Sequence, residues 1–296
     1  MRRILLITNP AAARTRKAVT DIVVSVLKRE GCSVDLVETT GHGDAARAAR
    51  AGADDNVDAI AVYGGDGTVM QTVAGIAGRN IPVGLIPGGT GNLLARNLGL
   101  PRKPAAAARV IARGRPRAID LGRFKNSDGA QYFSVACGSG FDAELMARTS
   151  SAAKRRWGFA AYVACGYKLV LDAAPVPYRV SVDGKAFDVE ATSIMVANCR
   201  QFIPPFLSIA PGISLDDGQL DVVVIKARGL WQSVGVLWRM LRQRVDGVAI
   251  RRFRGRDVRV EAHPDRLVQL DGEIGGHTPF SATIVDRGLS VLVPAQ

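Results

Sequence analysis

A chain of 296 residues with 47% hydrophobic and 22% charged side chains holds apolar material for more than one core, so two domains are expected and general disorder is excluded. Thirty-nine Lys and Arg against 27 Asp and Glu leave a net charge of +12, which fits either an Arg-rich composition or an anionic partner such as nucleotide phosphate, nucleic acid or an acidic membrane surface. Cys32, Cys137, Cys165 and Cys199 show no CxxC or Cys/His spacing, so a disulfide framework and a zinc site are not expected, and the thiols read as buried and reduced in a cytosolic protein.

The opening MRRILLITNP has too short an apolar run for a signal peptide and reads as a first strand, Arg3 to Thr8. TRKAVTDIVVSVLKREG has helical spacing and stops at Gly31; SVDLVET is the next strand and GDAARAARAGA the next helix. VDAIAVYGG is a strand ending in glycines, TVMQTVAGIAG a helix, and IPVGLIPGG another strand ending in glycines. TGNLLARNLGL, stopped by Pro101, and PAAAARVIARG complete the series as helices. Strands alternating with helices predict a doubly wound parallel sheet with right-handed crossovers.

Near residue 120 the rhythm changes. RAIDLGRF, AQYFSVACG, YRVSVDGKAFDVEATSIMVANC, LDVVVIKA, RDVRVEAH, RLVQLDGE and FSATIVDRG are alternating or β-branched runs separated by Gly, Asp and Pro turns, the pattern of an antiparallel sandwich or barrel. VDGK, Val182 to Lys185, suits a hairpin tip because Asp-Gly tolerates positive φ. Two helical insertions are expected, over roughly Asp142 to Leu171 and Gly229 to Val245. In the first, KRRWGFAAYVACGYKL, a basic start and an aromatic, apolar body fit either a core helix or an interfacial element. Lys168 and Asp172 interrupt it before the roughly 18 apolar residues of a membrane span. The expected organisation is an α/β domain over 1–123 and a β domain over 124–288, with a final strand at 289–296 able to pack back on the first domain.

Three turns of small residues, two of them Gly-rich, fall at the carboxyl ends of predicted strands: Thr8 to Ala13, Gly64 to Thr68, and Pro87 to Asn92. Ligands of open parallel sheets bind at those ends, glycines let backbone N–H groups approach phosphate, and a Thr-capped helix start adds its dipole. Gly64, Gly65, Gly67, Gly89, Gly91 and Asn92 are therefore nucleotide-site candidates with their neighbours. Neither GxxxxGK[ST] nor a GxGxxG after the first strand is present. Asp66 is expected to face the crevice, either capping a helix or ordering Mg²⁺ and water around a triphosphate. Asp216 and Asp217 in ISLDDGQLDV suit a hard cation or a polar hairpin turn alike. Glu273 in VQLDGEIGG is either solvated or, delivered to a crevice, a general base. His42, His263 and His277 have no ligand spacing, and the basic clusters KRRW, RMLRQR and IRRFRGR lack the aromatic interleaving of RNA binders.

Taken together in order, Asn9-Pro10, GGDGT at 64–68, PGGTGNLLARNLGLP at 87–101, CGSGFDAELM at 137–146, APGISLDDGQLDVVVI at 210–225 and VQLDGE at 268–273 closely resemble the diacylglycerol kinase catalytic-domain family, in particular its soluble bacterial lipid kinases. GGDG alone also occurs in NAD kinases, but PGGTGNLLAR is unlike their following block. The resemblance implies a phosphofructokinase-like α/β domain joined to a β-sandwich, and an ATP- and Mg²⁺-dependent kinase that transfers the γ-phosphate to a hydroxyl of a lipid such as diacylglycerol.

By that resemblance Asn9, Pro10, Ala11, Ala12, Ala13, Thr39, Gly65, Asp66, Gly67, Thr68, Val69, Met70, Gln71 and Thr90 surround ATP. Asp66 holds the Mg²⁺–phosphate network, Asp217 with the carbonyls of Ser214 and Gln219 binds a second Mg²⁺ that braces the fold, and Glu273 accepts the lipid hydroxyl's proton. Met70 and Gln71 stand where the family commonly has Asn-Glu, and Leu93 where many diacylglycerol kinases have Asp. A sphingoid-base kinase and a catalytically impaired nucleotide- or lipid-binding protein are therefore carried as alternatives. Partners implied are ATP, a membrane lipid and the anionic membrane surface, not nucleic acid. The expected location is the cytoplasm, transiently peripheral to the inner membrane face, and a homodimer is left open.

Overall fold

A computed structural model describes residues 1–148, 174–203, 207–208, 212–242, 247 and 249–295. Cys165 and the candidate interfacial segment Lys154 to Leu169 lie outside the described residues. The chain divides into two compact units, Met1–Ile119 with Asp286–Gln296, and Asp120–Val285.

In the first unit the strands β1 (Arg3–Thr8), β2 (Ser33–Glu38), β3 (Ala59–Gly64) and β4 (Val83–Pro87) alternate with helices α1 (Lys17–Arg29), α2 (Asp44–Asp54), α3 (Asp66–Gly75), α4 (Leu93–Asn97) and α5 (Pro104–Arg113). The strands are parallel and ordered β2-β1-β3-β4. Successive strand side chains point to opposite faces, which explains the two helical layers. Ile4, Leu6, Ala59, Ala61 and Tyr63 join Val23 and Leu27 of α1 and Ala107, Ala108 and Ile111 of α5 in one core. On the other face Gly52 of α2 sits so close to Leu5 that an added Cβ would lie 2.5 Å from its side chain. Helix α1 ends as the sequence predicts, with Gly31 at φ +82°, a conformation that glycine adopts without strain.

The second unit is built from β5 (Arg115–Asn126, which begins in the first unit), β6 (Gly129–Phe133), β7 (Ala136–Gly140), α6 (Phe141–Arg148), β8 (Val176–Val182), β9 (Lys185–Ala191) and β10 (Ser193–Ala197). It continues through β11 (Gln201–Ile203), β12 (Leu207–Ser208), β13 (Leu220–Ile225), α7 (Gly229–Leu241), β14 (Ile250–Gly255), β15 (Asp257–Ala262), β16 (Leu267–Leu270), β17 (Glu273–His277) and β18 (Phe280–Val293). One antiparallel sheet runs β14-β13-β10-β7-β16-β17; facing it are β9-β8-β15-β18, with β5 paired to β18 and β6 to β5. Val180, Val258 and Phe280 from one sheet pack with Ile194, Val222 and Val268 from the other in a single buried cluster, which makes this unit a β-sandwich. Phe124 and Phe280 meet within it, centroids 5.3 Å apart.

The hairpin predicted at VDGK joins β8 to β9, with Asp183 at φ 48° and Gly184 at φ 80°. Several boundaries differ from the sequence pattern. AQYFSVACG breaks into β6 and β7 around Ser134 and Val135, whose N–H groups are claimed by Asp271. IRRFRGR, read as a basic cluster, supplies strand β14. FSATIVDRG and LSVLVP form one strand, β18, whose start pairs antiparallel with β15 and whose Val291 stands in parallel register with Val83 of β4. The second insertion is helical over Gly229–Leu241, residues 243–246 lying outside those described. Of the first, Phe141–Arg148 is helix. Cys32, Cys137 and Cys199 are buried thiols, and burial pushes the Cys32 thiol above its ordinary value.

At the start of α2 the Asp44 carboxylate accepts bonds from the Thr40 hydroxyl and from the Thr40 and Gly41 backbone N–H groups, each 2.8 Å. The hydroxyl and then those amides lower its pKa from 3.8 to about 2. A depressed acid stabilises the fold above its unfolded pKa and loses that contribution as pH falls through its folded one. Acid titration of the wild type should therefore show a loss of stability between pH 3.8 and about 2 that is absent in Asp44→Asn, read by circular dichroism.

Candidate functional site

The order β2-β1-β3-β4 places a topological switch point between β1 and β3, where the connections leave toward opposite faces and open a crevice at the carboxyl ends. The three turns, two of them Gly-rich, leave β1, β3 and β4 at those ends. They are knitted together. The Asn9 N–H donates to Tyr63 O at 3.1 Å, the Asn9 side-chain amide to Thr68 Oγ1 at 3.0 Å, and the Arg14 N–H to Gly88 O at 2.8 Å. The Tyr63 hydroxyl returns to Arg14 O at 3.0 Å.

Asp66 performs the tightest junction. Its two carboxylate oxygens accept the backbone N–H groups of Asn92 at 2.7 Å and Leu93 at 2.6 Å. Of the two roles the sequence left open, helix capping is the one seen, but on another helix: the carboxylate turns onto the third loop and serves the first turn of α4. Two of its roughly four lone-pair positions are used in this way. The contact also explains Gly91, since a Cβ there would lie 2.7 Å from Asp66 Oδ2, and Gly89, whose Cβ would lie 2.6 Å from the Gly65 Cα. These glycines are required by loop-to-loop packing.

The expected Thr caps are corrected too. Helix α3 begins at Asp66, with Gly65 at its N-cap and no side-chain cap, so Thr68 lies inside the first turn. Helix α4 begins at Leu93 behind Asn92, not at Thr90, and runs for only 5 residues. Asn92 adopts φ 50° and closes the turn on itself, its amide bonded both ways to Gly89 at 2.7 and 2.8 Å. The first backbone bond of α3 runs from Val69 N–H to Gly65 O, so the N–H groups of Gly67 and Thr68, ahead of it in the first turn, lie at the helix start, where phosphate binds.

Two other predicted residues join this group. Thr39 is buried and its N–H donates to Thr8 O at 2.8 Å, while Gln71 Oε1 accepts the Gly43 N–H at 2.9 Å. The carboxamide at Gln71 thus works as the acceptor a carboxylate would be, tying the Thr39–Gly43 loop to α3. Arg14, Arg96 and Arg102 were not singled out from sequence. The half-buried Arg96 guanidinium is pushed below its ordinary value by burial and by Arg102 and Arg14, with Asp66 opposing. Guanidinium groups gathered beside these turns make the crevice attractive to anions; the signal in the sequence was Arg14 directly after the first loop and Arg96 shortly after the third. A hollow of about 580 Å³ beside β2 and α2 is lined by Asp35, Glu38, Asp44 and Asp55 against Arg3 and Arg47, which pair with Asp35 and Asp44, so its balance is acidic and unsuited to a triphosphate.

In the second unit, VQLDGE forms the β16–β17 hairpin with Asp271 at φ 48° and Gly272 at φ 93°. The buried Asp271 carboxylate accepts the N–H groups of Ser134, Val135 and Ala136 and the Ser134 hydroxyl at 2.8–3.0 Å. Burial pushes this acid above the ordinary carboxylate value and the donors pull against it. Asp271 is thus an anchor, and it fixes the turn from which exposed Glu273 opens β17.

The SLDDG loop is held likewise by an acid the sequence reading missed. Buried Asp120 accepts the Gly218 N–H at 2.7 Å, its own N–H donates to Leu215 O at 2.6 Å, and its carbonyl receives the Asn198 amide at 2.9 Å. Asp217 accepts the Gln219 N–H at 3.1 Å and pairs with Arg254, while the Ser214 hydroxyl donates to Asp216 at 2.6 Å. Arg252 and Arg254 of β14 also meet buried Asp221, at 2.6 and 3.3 Å. Burial raises the Asp221 acid and these arginines oppose it. No cluster of three or more His, Cys, Asp or Glu appears among the described residues. One carboxylate with the Ser214 and Gln219 carbonyls is nevertheless a hard, all-oxygen set of the kind Mg²⁺ accepts when it keeps several waters, with Arg254 the competing cation on Asp217.

The family model described as the diacylglycerol kinase catalytic domain matches residues 3–124, and that of the YegS C-terminal NAD kinase beta sandwich-like domain matches 135–293. The diacylglycerol kinase of Bacillus subtilis (strain 168) is 31% identical over 302 residues, covering 100% of this chain and 98% of the relative. The chain belongs to the diacylglycerol kinase family. It is an enzyme of the diacylglycerol kinase type. The diacylglycerol kinase of Mycobacterium tuberculosis is 31% identical over 281 residues, 92% of this chain and 88% of the relative. A solved diacylglycerol kinase from Bacillus anthracis str. Sterne superposes with a TM-score of 0.75 at 23% identity, covering 98% and 96% of the chains, a likeness of fold. Another chain from that strain reaches 0.79 at 26% identity, covering 98% and 97%.

Replacing Asp271 by Ala would strand three buried N–H groups and a hydroxyl. Each lost acceptor costs on the order of 1–3 kcal/mol. Asp271→Ala should lower unfolding stability by about 3 kcal/mol or more, measured by urea titration, whereas Glu273→Ala, at an exposed site, should leave it unchanged.

Proposed function

We propose that the chain is an ATP- and Mg²⁺-dependent lipid kinase that moves the γ-phosphoryl group of ATP to the hydroxyl of diacylglycerol or a related membrane lipid. The observation that carries this reading is the junction of the three turns that follow β1, β3 and β4 at the β1/β3 switch point, with the start of α3, which no side chain caps, and the guanidinium groups of Arg14, Arg96 and Arg102 beside it. Asn9 to Ala13, Thr39, Gly64 to Gln71 and Gly89 to Asn92 would hold the nucleotide. The N–H groups of Gly67 and Thr68 would take the phosphates. Gln71 and Asp66 keep the neighbouring loops in register around them. Phosphoryl transfer needs little covalent help from a protein, so positioning and charge neutralisation carry most of the catalysis.

Glu273 would act as the base: as the lipid oxygen bonds to phosphorus and ADP departs, its carboxylate takes the hydroxyl proton. Mg²⁺, when bound near Asp66, would neutralise the developing phosphate charge, and Asp217 with the carbonyls of Ser214 and Gln219 would hold a second ion that braces the SLDDG loop. The chain would work from the cytoplasm, docking transiently on an acidic membrane face. No helix among the described residues is long and apolar enough to cross a membrane.

The decisive assay measures ADP release with Mg-ATP and a panel of detergent-dispersed lipids carrying diacylglycerol, sphingoid base or neither. Turnover should require a hydroxyl-bearing lipid. Glu273→Ala should lower kcat by about 100-fold or more with the nucleotide Kd unchanged. Asp66→Asn, which disturbs the Asn92–Leu93 junction, should lower activity by a similar factor of about 100 and weaken nucleotide binding. Nucleotide binding without turnover on any lipid would leave a binding protein of this fold and refute the kinase.

A further inference from the structure

Helix α7 has two unlike faces. Val236 and Met240 are buried, and the helix lies beside β12. Turned away from them, Trp231, Val234, Leu237, Trp238 and Leu241 fall within an arc of roughly 120° on the helical cylinder. All are exposed, Trp231 at 85% and Trp238 at 55%. Large apolar side chains gathered on one exposed strip mark an interaction surface, whereas the same residues scattered singly would need no explanation.

The charges on the same segment say what kind of surface. From Lys226 to Arg242 the sequence carries Lys226, Arg228, Arg239 and Arg242 and no carboxylate. Arg239 and Arg242 project along one border of the apolar arc, and the Arg242 guanidinium lies 4.4 Å from the Trp238 ring centroid, an arrangement that holds an amphipathic ring and a cation at the same level. Pairing this face with a second copy would bring Arg239 and Arg242 of each helix together with no carboxylate on either strip to answer them. An anionic lipid surface offers both components, phosphate for the arginines and acyl chains for the apolar arc. At 13 residues the helix is about 20 Å long, too short to span a bilayer and suited to lying in its interface.

We propose that α7 is a membrane-docking element, with Trp231, Val234, Leu237, Trp238 and Leu241 seated at the headgroup–acyl boundary and Arg228, Arg239 and Arg242 engaging anionic headgroups. It rests on the lipid-kinase reading only for its purpose, which is to bring the chain to an acceptor that does not leave the bilayer.

The test is co-sedimentation of the full chain, without nucleotide, on vesicles of phosphatidylglycerol mixed with phosphatidylcholine and on phosphatidylcholine alone. The wild type should bind the anionic vesicles, more weakly as salt rises, with a blue shift of tryptophan emission. Trp231→Glu/Trp238→Glu should weaken that binding by about tenfold or more, and Arg239→Glu/Arg242→Glu should remove the preference for phosphatidylglycerol. Neither variant should change turnover on detergent-dispersed lipid. Undiminished vesicle binding by the tryptophan variant would overturn the proposal, as would a dimer in sedimentation velocity that the same variant abolishes. Because binding is read without turnover, failure of the kinase reading and failure of this surface are separately visible.

Discussion

The two hydrogen bonds from Asn92 and Leu93 to Asp66 set the geometry of the crevice. A buried or half-buried backbone N–H must find an acceptor, and the short helix α4 offers none of its own to its first turn. Asp66 stands at the start of α3, so one carboxylate satisfies the beginning of another helix and joins the loops after β3 and β4. Once that junction forms, Gly65 and Gly89 pack backbone to backbone and Gly91 has no room for a side chain. The dense glycine pattern follows from this contact as much as from any need to approach phosphate.

The second unit repeats the device in its core. Asp271 gathers the N–H groups where β6 passes into β7, and Asp120 gathers the loop before β13. In each case an acid that sequence reasoning would place near chemistry works instead as a rigid mount, and the residue it presents, Glu273 or the SLDDG carboxylates, is the one exposed to solvent. Preorganisation of this sort keeps a functional side chain in place without strain in the side chain itself. Arg252 and Arg254 show the converse: part of what read as a basic surface is consumed by buried Asp221.

Much of the architecture was legible because it is written in periodicity. The alternation of strands and helices up to α5, the stops at glycine, the VDGK hairpin and the β-rich second half depend on local rules that the sequence expresses directly. Of the site, the three turns after β1, β3 and β4 and the Asn9, Thr39 and Gln71 positions were legible through motif and resemblance, and they lie in one connected set of loops. The direction of the Asp66 carboxylate was not, since it depends on a loop 26 residues away. Asp120 was hidden for the same reason, its partner Gly218 being 98 residues distant, and RAIDLGRF looked complete as a strand without it. Boundaries failed where a tertiary hydrogen bond outbid local preference, as at Ser134 and Val135.

Strand β18 sets the order in which the molecule can be completed. The first unit consists of Met1–Ile119 and Asp286–Gln296, with all of Asp120–Val285 between them, and β4 has its far edge covered only when the segment around Val291 arrives. On the ribosome this unit is thus begun before the sandwich and finished after it. Until residues past 285 emerge, its parallel sheet ends at β4 with an open edge, the kind of exposed backbone that recruits other strands. The nascent chain carries that edge through the whole synthesis of the sandwich, so the period of greatest risk of misassembly is set by the length of an insertion and not by the stability of either unit.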